Sequence, residues 1–180
     1  MARFALSAIG RDRPGIVAGV SGALLQHGAN IEDSRMAILG GHFTIMLIVS
    51  TPDDADVDAL ARNLEAARGQ LGLGALTLEK VTDEHGFTRP EASHVVTVYG
   101  ADHPGIVHSV ASTIADMGVN VIDVATHLIE AEGKASIYAM MMEVDLPEDV
   151  SADRLETALR DVADREQLDL SIRAVEAEAL

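Results

Sequence analysis

Hydrophobic residues recur along the chain with a period of two in some segments and with helical spacing in others. Residues 3–9 and 94–100 are rich in Val, Ile, Thr and aromatic residues, and this pattern predicts two strands. Each strand is followed by apolar positions with helical spacing: Ile16, Val17, Val20 and Leu24 after the first, and Ile106, Val107, Val110, Ile114 and Met117 after the second. The pattern therefore predicts the same strand–helix unit in both halves of the chain.

The link between strand and helix is almost the same sequence in both halves. GRDRPGIVAGV begins at Gly10 and GADHPGIVHSV begins at Gly100, an offset of 90 residues. The identical residues are Gly10, Asp12, Pro14, Gly15, Ile16, Val17, Val20, Gly28 and Asn30 in the first copy, and Gly100, Asp102, Pro104, Gly105, Ile106, Val107, Val110, Gly118 and Asn120 in the second. Clustering of identities at turn and helix positions indicates an internal repeat.

The ends of the predicted helices carry recognisable residues. Pro14 and Pro104 are predicted at the first helical position, where no backbone N–H is needed. Gly28 and Gly118 are predicted to end these helices, because glycine adopts the left-handed conformation at little cost. They are better explained as helix caps than as ligand contacts.

Both copies continue in the same way. Residues 31–39 and 42–50 form a predicted hairpin that turns at Gly40-Gly41, and residues 121–129 and 134–144 form one that turns near Gly133. Helices are predicted at 54–71 and 151–165, the latter capped by Ser151, and last strands at 75–81 and 168–175.

The predicted order is βαββαβ, twice. It indicates an α+β fold of two tandem ferredoxin-like sandwiches, each an antiparallel sheet with both helices on one face. The boundaries are residues 1–81, a polar linker at 82–93, and residues 94–180. Residues IMLIV and IYAMMM are apolar on both sides of their strands, so the second face of each sheet is expected to be covered by the other repeat or by a second chain, and a homodimer is expected.

Charge excludes one class of function. The chain has 13 basic and 29 acidic residues, a net charge of −16, and residues 91–180 alone account for −13. Binding to a phosphate backbone depends on Lys and Arg, so direct contact with nucleic acid is not expected. The acidic residues are interpreted as a solvated surface.

Several other classes of protein are not indicated. Cys is absent, which excludes disulfides and thiol chemistry, and no apolar run approaches the length of a membrane span. The seven His residues are scattered, and no catalytic or metal-binding motif occurs. A cytoplasmic protein without enzymatic activity, metal or cofactor is predicted.

The repeated turn does offer chemistry for a small ligand. Unpaired N–H groups at a helix N-terminus suit a carboxylate, and Gly15 and Gly105 allow close approach to the backbone. Asp12 and Asp102 could accept an ammonium group. Asn30 and Asn120, at the start of the next strand, offer both a donor and an acceptor. This set suits a zwitterionic amino acid.

Simpler interpretations of the same residues stay open. The two Asp residues could only stabilise the helix N-terminus, and the two Asn residues could only shape a turn. Arg11 and Arg13 flank the first turn, whereas Ala101 and His103 flank the second. The first turn is therefore expected to favour an anionic group more strongly, and the two sites are expected to differ in occupancy.

The pattern Gly-x-Asp-x-Pro-Gly-Ile-Val, followed by a helix and by Gly-x-Asn-Ile or Gly-x-Asn-Val, resembles the ACT domain. The resemblance covers residues 3–81 and 94–177. ACT domains bind amino acids or similar metabolites between this loop and an edge strand of a neighbouring unit, and they regulate a partner. The resemblance therefore implies that the ligand-binding residues are Asp12, Arg13, Pro14, Gly15, Asn30, Ile31, Asp102, His103, Pro104, Gly105, Asn120 and Val121.

The resemblance implies three possible functions. In the first, the chain senses a small amino acid such as glycine or serine and controls a partner protein, for example by holding a DNA-binding activator and so repressing glycine cleavage. In the second, it is the regulatory subunit of a separate metabolic enzyme. In the third, it is an assembly module without a ligand.

Overall fold

The structure, a computed structural model, describes residues 1–82, 91–130 and 136–175. The chain divides into two compact units, Met1–Phe87 and Thr88–Leu180, called unit 1 and unit 2 below. Most of the predicted linker, residues 83–90, lies outside the described residues, as does the predicted turn near Gly133.

Among its described residues, each unit contains four strands and two helices in the same order. The elements of unit 1 are β1 (Ala2–Arg11), α1 (Ile16–Leu25), β2 (Asn30–Leu39), β3 (His42–Thr51), α2 (Val57–Leu71) and β4 (Leu73–Val81). Those of unit 2 are β5 (His94–Ala101), α3 (Ile106–Asp116), β6 (Asn120–Ile129), β7 (Ile137–Asp145), α4 (Ala152–Glu166) and β8 (Leu168–Ala174).

Both sheets are antiparallel and have the same topology. The strand order is β2-β3-β1-β4 in unit 1 and β6-β7-β5-β8 in unit 2. Ser7 faces Met46 across β1 and β3, and the equivalent Thr97 faces Met141 across β5 and β7. The predicted tandem ferredoxin-like βαββαβ fold is therefore confirmed.

Each unit has its own core between one sheet face and the two helices. In unit 1, Leu6 and Val49 of the central strands are fully buried together with Leu60 and Leu64 of α2. In unit 2, Val96, Met142, Leu155 and Leu159 are among the equivalent buried residues. Burial alternates along the central strands, so every second side chain points away from the helices.

The first helix of each unit ends in the predicted way. Gly28 and Gly118 adopt left-handed conformations, with φ of 66° and 71°. Gly28 N donates to Leu25 O (3.0 Å), and Ala29 N donates to Leu24 O (3.1 Å). This pair of bonds is a Schellman motif, and the same two bonds follow α3. The two glycines are thus helix caps.

Other predicted ends are also found. Ser151 caps α4 as predicted, and its hydroxyl accepts from Arg154 N (3.3 Å). Helix α2 begins at Val57, three residues after the predicted start at 54, and its cap is Asp56, which accepts from Ala59 N (2.8 Å). The β2–β3 hairpin turns at Gly40-Gly41, and both glycines have positive φ. This conformation is typical of the tight turns that fit the twist of two paired strands.

The prediction that Pro14 and Pro104 begin their helices is wrong. The helices begin two residues later, at Ile16 and Ile106, and the preceding Gly15 and Gly105 have φ of 95° and 107°. A residue in that conformation cannot belong to a right-handed helix. The Pro-Gly pair instead forms a separate turn before the helix.

Candidate functional site

The repeated motif forms one turn in each unit: turn 1 at residues 12–16 and turn 2 at residues 102–106, in which residues 13–16 and 103–106 are the four positions of a β-turn. Gly15 (φ 95°, ψ −8°) and Gly105 (φ 107°, ψ −15°) have the angles of the third residue of a type II turn. Proline suits the second position of this turn, because its ring fixes φ near −65°. Pro-Gly therefore sets the direction in which each helix leaves its turn.

The space in front of the two turns is open. A Cβ atom built on Gly15 or Gly105 would meet no heavy atom within 4 Å among the described residues. The first helical bond of α1 runs from Gly19 N to Gly15 O (2.8 Å), so the N–H groups that precede Gly19 have no acceptor within the helix. An anion placed there would meet backbone donors and the positive end of a helix.

The acids of the turns are exposed to solvent. Asp12 N donates to Gly41 O (2.9 Å), which ties turn 1 to the β2–β3 hairpin. Within the described residues, neither the Asp12 nor the Asp102 carboxylate has a hydrogen bond to its helix or an ion pair. Both carboxylates are thus available to a ligand, whereas the simpler role of capping the helix has no contact to support it.

Arg13 points back into its own unit. Its Nη2 donates to Gln70 O (2.6 Å) in the last turn of α2. Arg68 reinforces this helix end, because its Nη1 donates to Leu73 O (3.2 Å). Arg68 also donates to Glu65, and these hydrogen bonds lower the pKa of the Glu65 carboxyl and raise the pKa of Arg68. Arg13 thus holds turn 1 against the negative end of α2.

His103 occupies the equivalent place in unit 2 with different chemistry. Its Nε2 lies 3.3 Å from Glu166 O at the end of α4, and 3.8 Å from the Glu166 carboxylate. That carboxylate also accepts from the Ser109 hydroxyl (3.0 Å), one turn into α3. Turn 2 is therefore tied to the end of α4 by an imidazole, where turn 1 uses a guanidinium group, and Glu166 connects α4 to α3.

Asn30 and Ile31 lie at the opposite end of unit 1 from turn 1. Asn30 faces Ser50 on β3, and Ser50 faces Arg3 on β1, whereas turn 1 follows Arg11. The intervening strand, at about 3.3 Å per residue, separates them by roughly 30 Å. Asn120 and Val121 have the same placement relative to turn 2. The structure of one unit thus groups the turn residues together but does not bring them to its own Asn.

A bulge follows each of these Asn residues, and sequence analysis missed it. The pairing of β2 with β3 shifts between Ile31 and Asp33, and the pairing of β6 with β7 shifts between Val121 and Asp123. Bulges change the direction of backbone groups and are frequent beside binding sites. Because β2 and β6 are edge strands, the backbone N–H and C=O groups on their outer side have no partner strand in the sheet of their own unit, as far as the structure describes it.

A cavity of about 420 Å³ also lies at the Asn30 end of unit 1. Among its lining residues, Arg3 pairs with Glu32 (2.8 Å), and the amino terminus of Met1 pairs with Asp53 (2.5 Å). These opposite charges are already matched within the protein. Lys80 also lines the cavity and forms no ion pair among the described residues, so its ammonium is the open donor that remains there.

Two further features bear on the class of site. In the part of the chain that the structure describes, no three His, Asp or Glu side chains are grouped so as to hold a metal ion. No helix among residues 1–82, 91–130 and 136–175 is long and apolar enough to cross a membrane.

The paired turns, the edge strands and the duplicated βαββαβ fold define a known class of protein. The ACT domain model matches residues 3–77 and 93–173, so the chain belongs to the ACT domain family. It is similar to the glycine cleavage system transcriptional repressor of Escherichia coli, with 28% identity over 156 residues, which are 86% of this chain and 80% of that protein. The chain is an ACT-domain regulatory protein related to that repressor.

Two other similarities extend over nearly the whole chain. The crystal structure of a protein of unknown function from Galdieria sulphuraria superposes with a TM-score of 0.81 at 29% identity, covering 97% of this chain and 98% of that one. Phosphoserine phosphatase SerB2 of Mycobacterium tuberculosis is 27% identical over 169 residues, which are 93% of this chain but only 39% of the phosphatase.

Proposed function

We propose that the chain senses a small amino acid at junctions between ACT units and passes this signal to a partner protein. The observation that carries the proposal is the open Pro-Gly turn. It combines helix N–H groups that have no acceptor within the helix with a neighbouring Asp carboxylate that has no ion pair among the described residues. Both charges of a zwitterion would find a partner there.

Each polar group of the turn has a role in this proposal. The α-carboxylate of the ligand accepts from the first N–H groups of α1 or α3, and its ammonium donates to Asp12 or Asp102. Arg13 and His103 hold their turns in place through the ends of α2 and α4. Glycine and L-serine are the preferred candidates, because the glycine of each turn has no Cβ and so lets a small ligand come close to the backbone.

The second half of the site comes from a neighbouring ACT unit. Asn30 and Ile31, or Asn120 and Val121, lie at the far end of their own unit, so they can complete only a site formed with another one. If two units lie side by side with their edge strands antiparallel, the turn end of one meets the Asn end of the other. A ligand that contacts both would fix the placement of the two units, and fixing that placement changes a docking surface elsewhere.

The output of the sensor is proposed to be protein binding. A net charge of −16 argues against direct contact with DNA. A repressor of glycine cleavage with this charge would act by holding a DNA-binding activator. We expect the protein to give no gel shift with DNA alone at physiological salt, and to retain a DNA-binding protein when it is purified from its native host.

The ligand is tested by a thermal-shift screen of the standard amino acids against the wild-type protein. We expect glycine or L-serine to raise the melting temperature, with the large aromatic amino acids as the negative comparison. A screen in which no amino acid shifts the melting temperature would favour the assembly module without a ligand.

A second candidate function rests on a specific similarity. The chain matches 39% of a phosphoserine phosphatase, so a segment similar to this chain also occurs within an enzyme. In this alternative the chain regulates a separate enzyme of amino-acid metabolism. Identification of the retained protein distinguishes the two candidates, because the first requires a DNA-binding protein and the second an enzyme.

A further inference from the structure

The sheet faces that point away from the helices are apolar at their centres in both units. We call them the open face of unit 1, whose apolar residues include Ala5, Ile9, Met46 and Ile48, and the open face of unit 2, whose apolar residues include Val95, Tyr99, Ile137, Ala139 and Met141. Met46 and Met141 are 55% and 47% exposed. An antiparallel sheet with one face in water normally presents polar side chains there.

These side chains do not lie at the edges of their sheets. Met46 belongs to β3 and Met141 to β7, and each of these strands has a neighbour on both sides. The two Met residues are also equivalent, since one faces Ser7 and the other faces the matching Thr97. A large exposed side chain at the same central position of both repeats indicates an interaction surface.

The charges around the two centres differ. Strand register places three arginines on the open face of unit 1, namely Arg3, Arg11 and Arg35, against the carboxylates of Glu32, Asp33 and Glu79. It places four carboxylates on the open face of unit 2, namely Asp123, Glu143, Asp145 and Asp169, against the single guanidinium of Arg173. Contact between two unit 2 faces would therefore bring like charges together, whereas the open face of unit 1 carries as many guanidinium groups as carboxylates and adds no net negative charge to the contact.

We infer that the open face of unit 1 docks onto the open face of unit 2 in a second copy of this chain. In a two-fold dimer, unit 1 of each copy contacts unit 2 of the other copy, so all four open faces are covered. Packing of two sheets face to face buries such side chains in a layer about 10 Å thick. The inference is independent of the amino-acid ligand, because it uses neither turn.

The test is the oligomeric state of three methionine variants, measured by analytical ultracentrifugation at tens of micromolar protein. Met46→Glu and Met141→Glu each place a charge at the centre of one open face. Met36→Glu is the matched control, since Met36 is 50% exposed but pairs with Ile45, whose side chain points toward the helices. We expect a wild-type dimer, a dimer for Met36→Glu, and dissociation constants raised about thirtyfold or more for each of the other two variants.

Methionine oxidation of the wild type gives an independent measurement that does not depend on how a variant folds. We expect Met46 and Met141 to be protected while Met36 is oxidised, and dilution into the monomer to expose both. A monomeric wild type would overturn the inference, and so would protection of both residues in a monomer, because the faces would then be covered within one chain. A dimer that only one of the two variants weakens would also overturn it, since such a dimer pairs like faces.

Discussion

From the backbone conformation of turn 1, we predict that the same substitution, Gly to Ala, has opposite effects on stability at two positions. The changes are Gly15→Ala in the turn and Gly22→Ala in α1. Both positions are open, because a Cβ atom at either would meet nothing within 4 Å among the described residues. Steric overlap therefore contributes to neither change, and only the backbone conformation differs.

The expected magnitudes follow from the dihedral angles. Gly15 has φ of 95°, where an L-residue with a side chain is strained by about 1–2 kcal/mol. Gly22 lies inside α1, where Ala is favoured over Gly by about 0.5–1 kcal/mol. For a unit of this size, the loss at Gly15 corresponds to a melting temperature lowered by roughly 5–15 °C. Gly22→Ala should instead raise the melting temperature by a few degrees.

The assay is thermal and urea unfolding followed by far-UV circular dichroism, with tyrosine fluorescence recorded in parallel. The only two tyrosines of the chain, Tyr99 and Tyr138, lie in unit 2, so their emission reports that unit separately. At protein concentrations below the dissociation constant of the dimer, Gly15→Ala should move the circular dichroism transition of unit 1 and leave the tyrosine transition in place. If Gly15→Ala is as stable as the wild type, or is stabilised like Gly22→Ala, the left-handed turn does not describe the protein in solution.

Three other predictions concern single contacts. Arg13→Ala should lower the stability of unit 1 by about 1 kcal/mol, because it removes the bond to the end of α2, and an unchanged urea midpoint would show that this bond is absent in solution. Thr51→Val should raise the free energy of unfolding by about 1 kcal/mol, because the buried Thr51 hydroxyl has no hydrogen-bond partner among the described residues, and a loss of stability would mean that the hydroxyl has one. Ser151→Ala should lower the stability of unit 2 by about 1 kcal/mol, with the shift visible in the fluorescence of Tyr99 and Tyr138, and a shift confined to unit 1 would contradict the capping assignment.

Most of the fold could be predicted from the sequence, since its determinants are local and occur twice. Hydrophobic periodicity located the strands and helices, and Gly28, Gly118 and Ser151 marked helix ends whose bonds the structure confirms. The error at Pro14 came from considering the proline without its neighbour. Proline suits both the first position of a helix and the second position of a type II turn. The φ of 95° at Gly15 is compatible only with the turn.

The candidate site was less predictable, because its geometry depends on contacts between distant residues. Arg13 and Gln70 are far apart in sequence, as are His103 and Glu166, and nothing in the local pattern shows that these pairs meet. The length of β1 could have shown that Asn30 lies far from turn 1, because β1 begins at the Asn30 end of the sheet and ends at turn 1. The bulge after Ile31 has no signal in the sequence, because a shift of register is a property of two strands.

The central claim is that the turns and the two Asn residues form one kind of amino-acid site. It is tested most directly by isothermal titration of glycine and L-serine into the wild type and the double variant Asn30→Ala/Asn120→Ala. Asn63→Ala is the control, because Asn63 is the only other asparagine in the chain and binds Gln26 on the surface of unit 1. We predict that the wild type and Asn63→Ala bind one of these amino acids equally, and that the double variant binds it about tenfold or more weakly. Equal binding by all three proteins, or no binding of either amino acid to the wild type, would contradict the account.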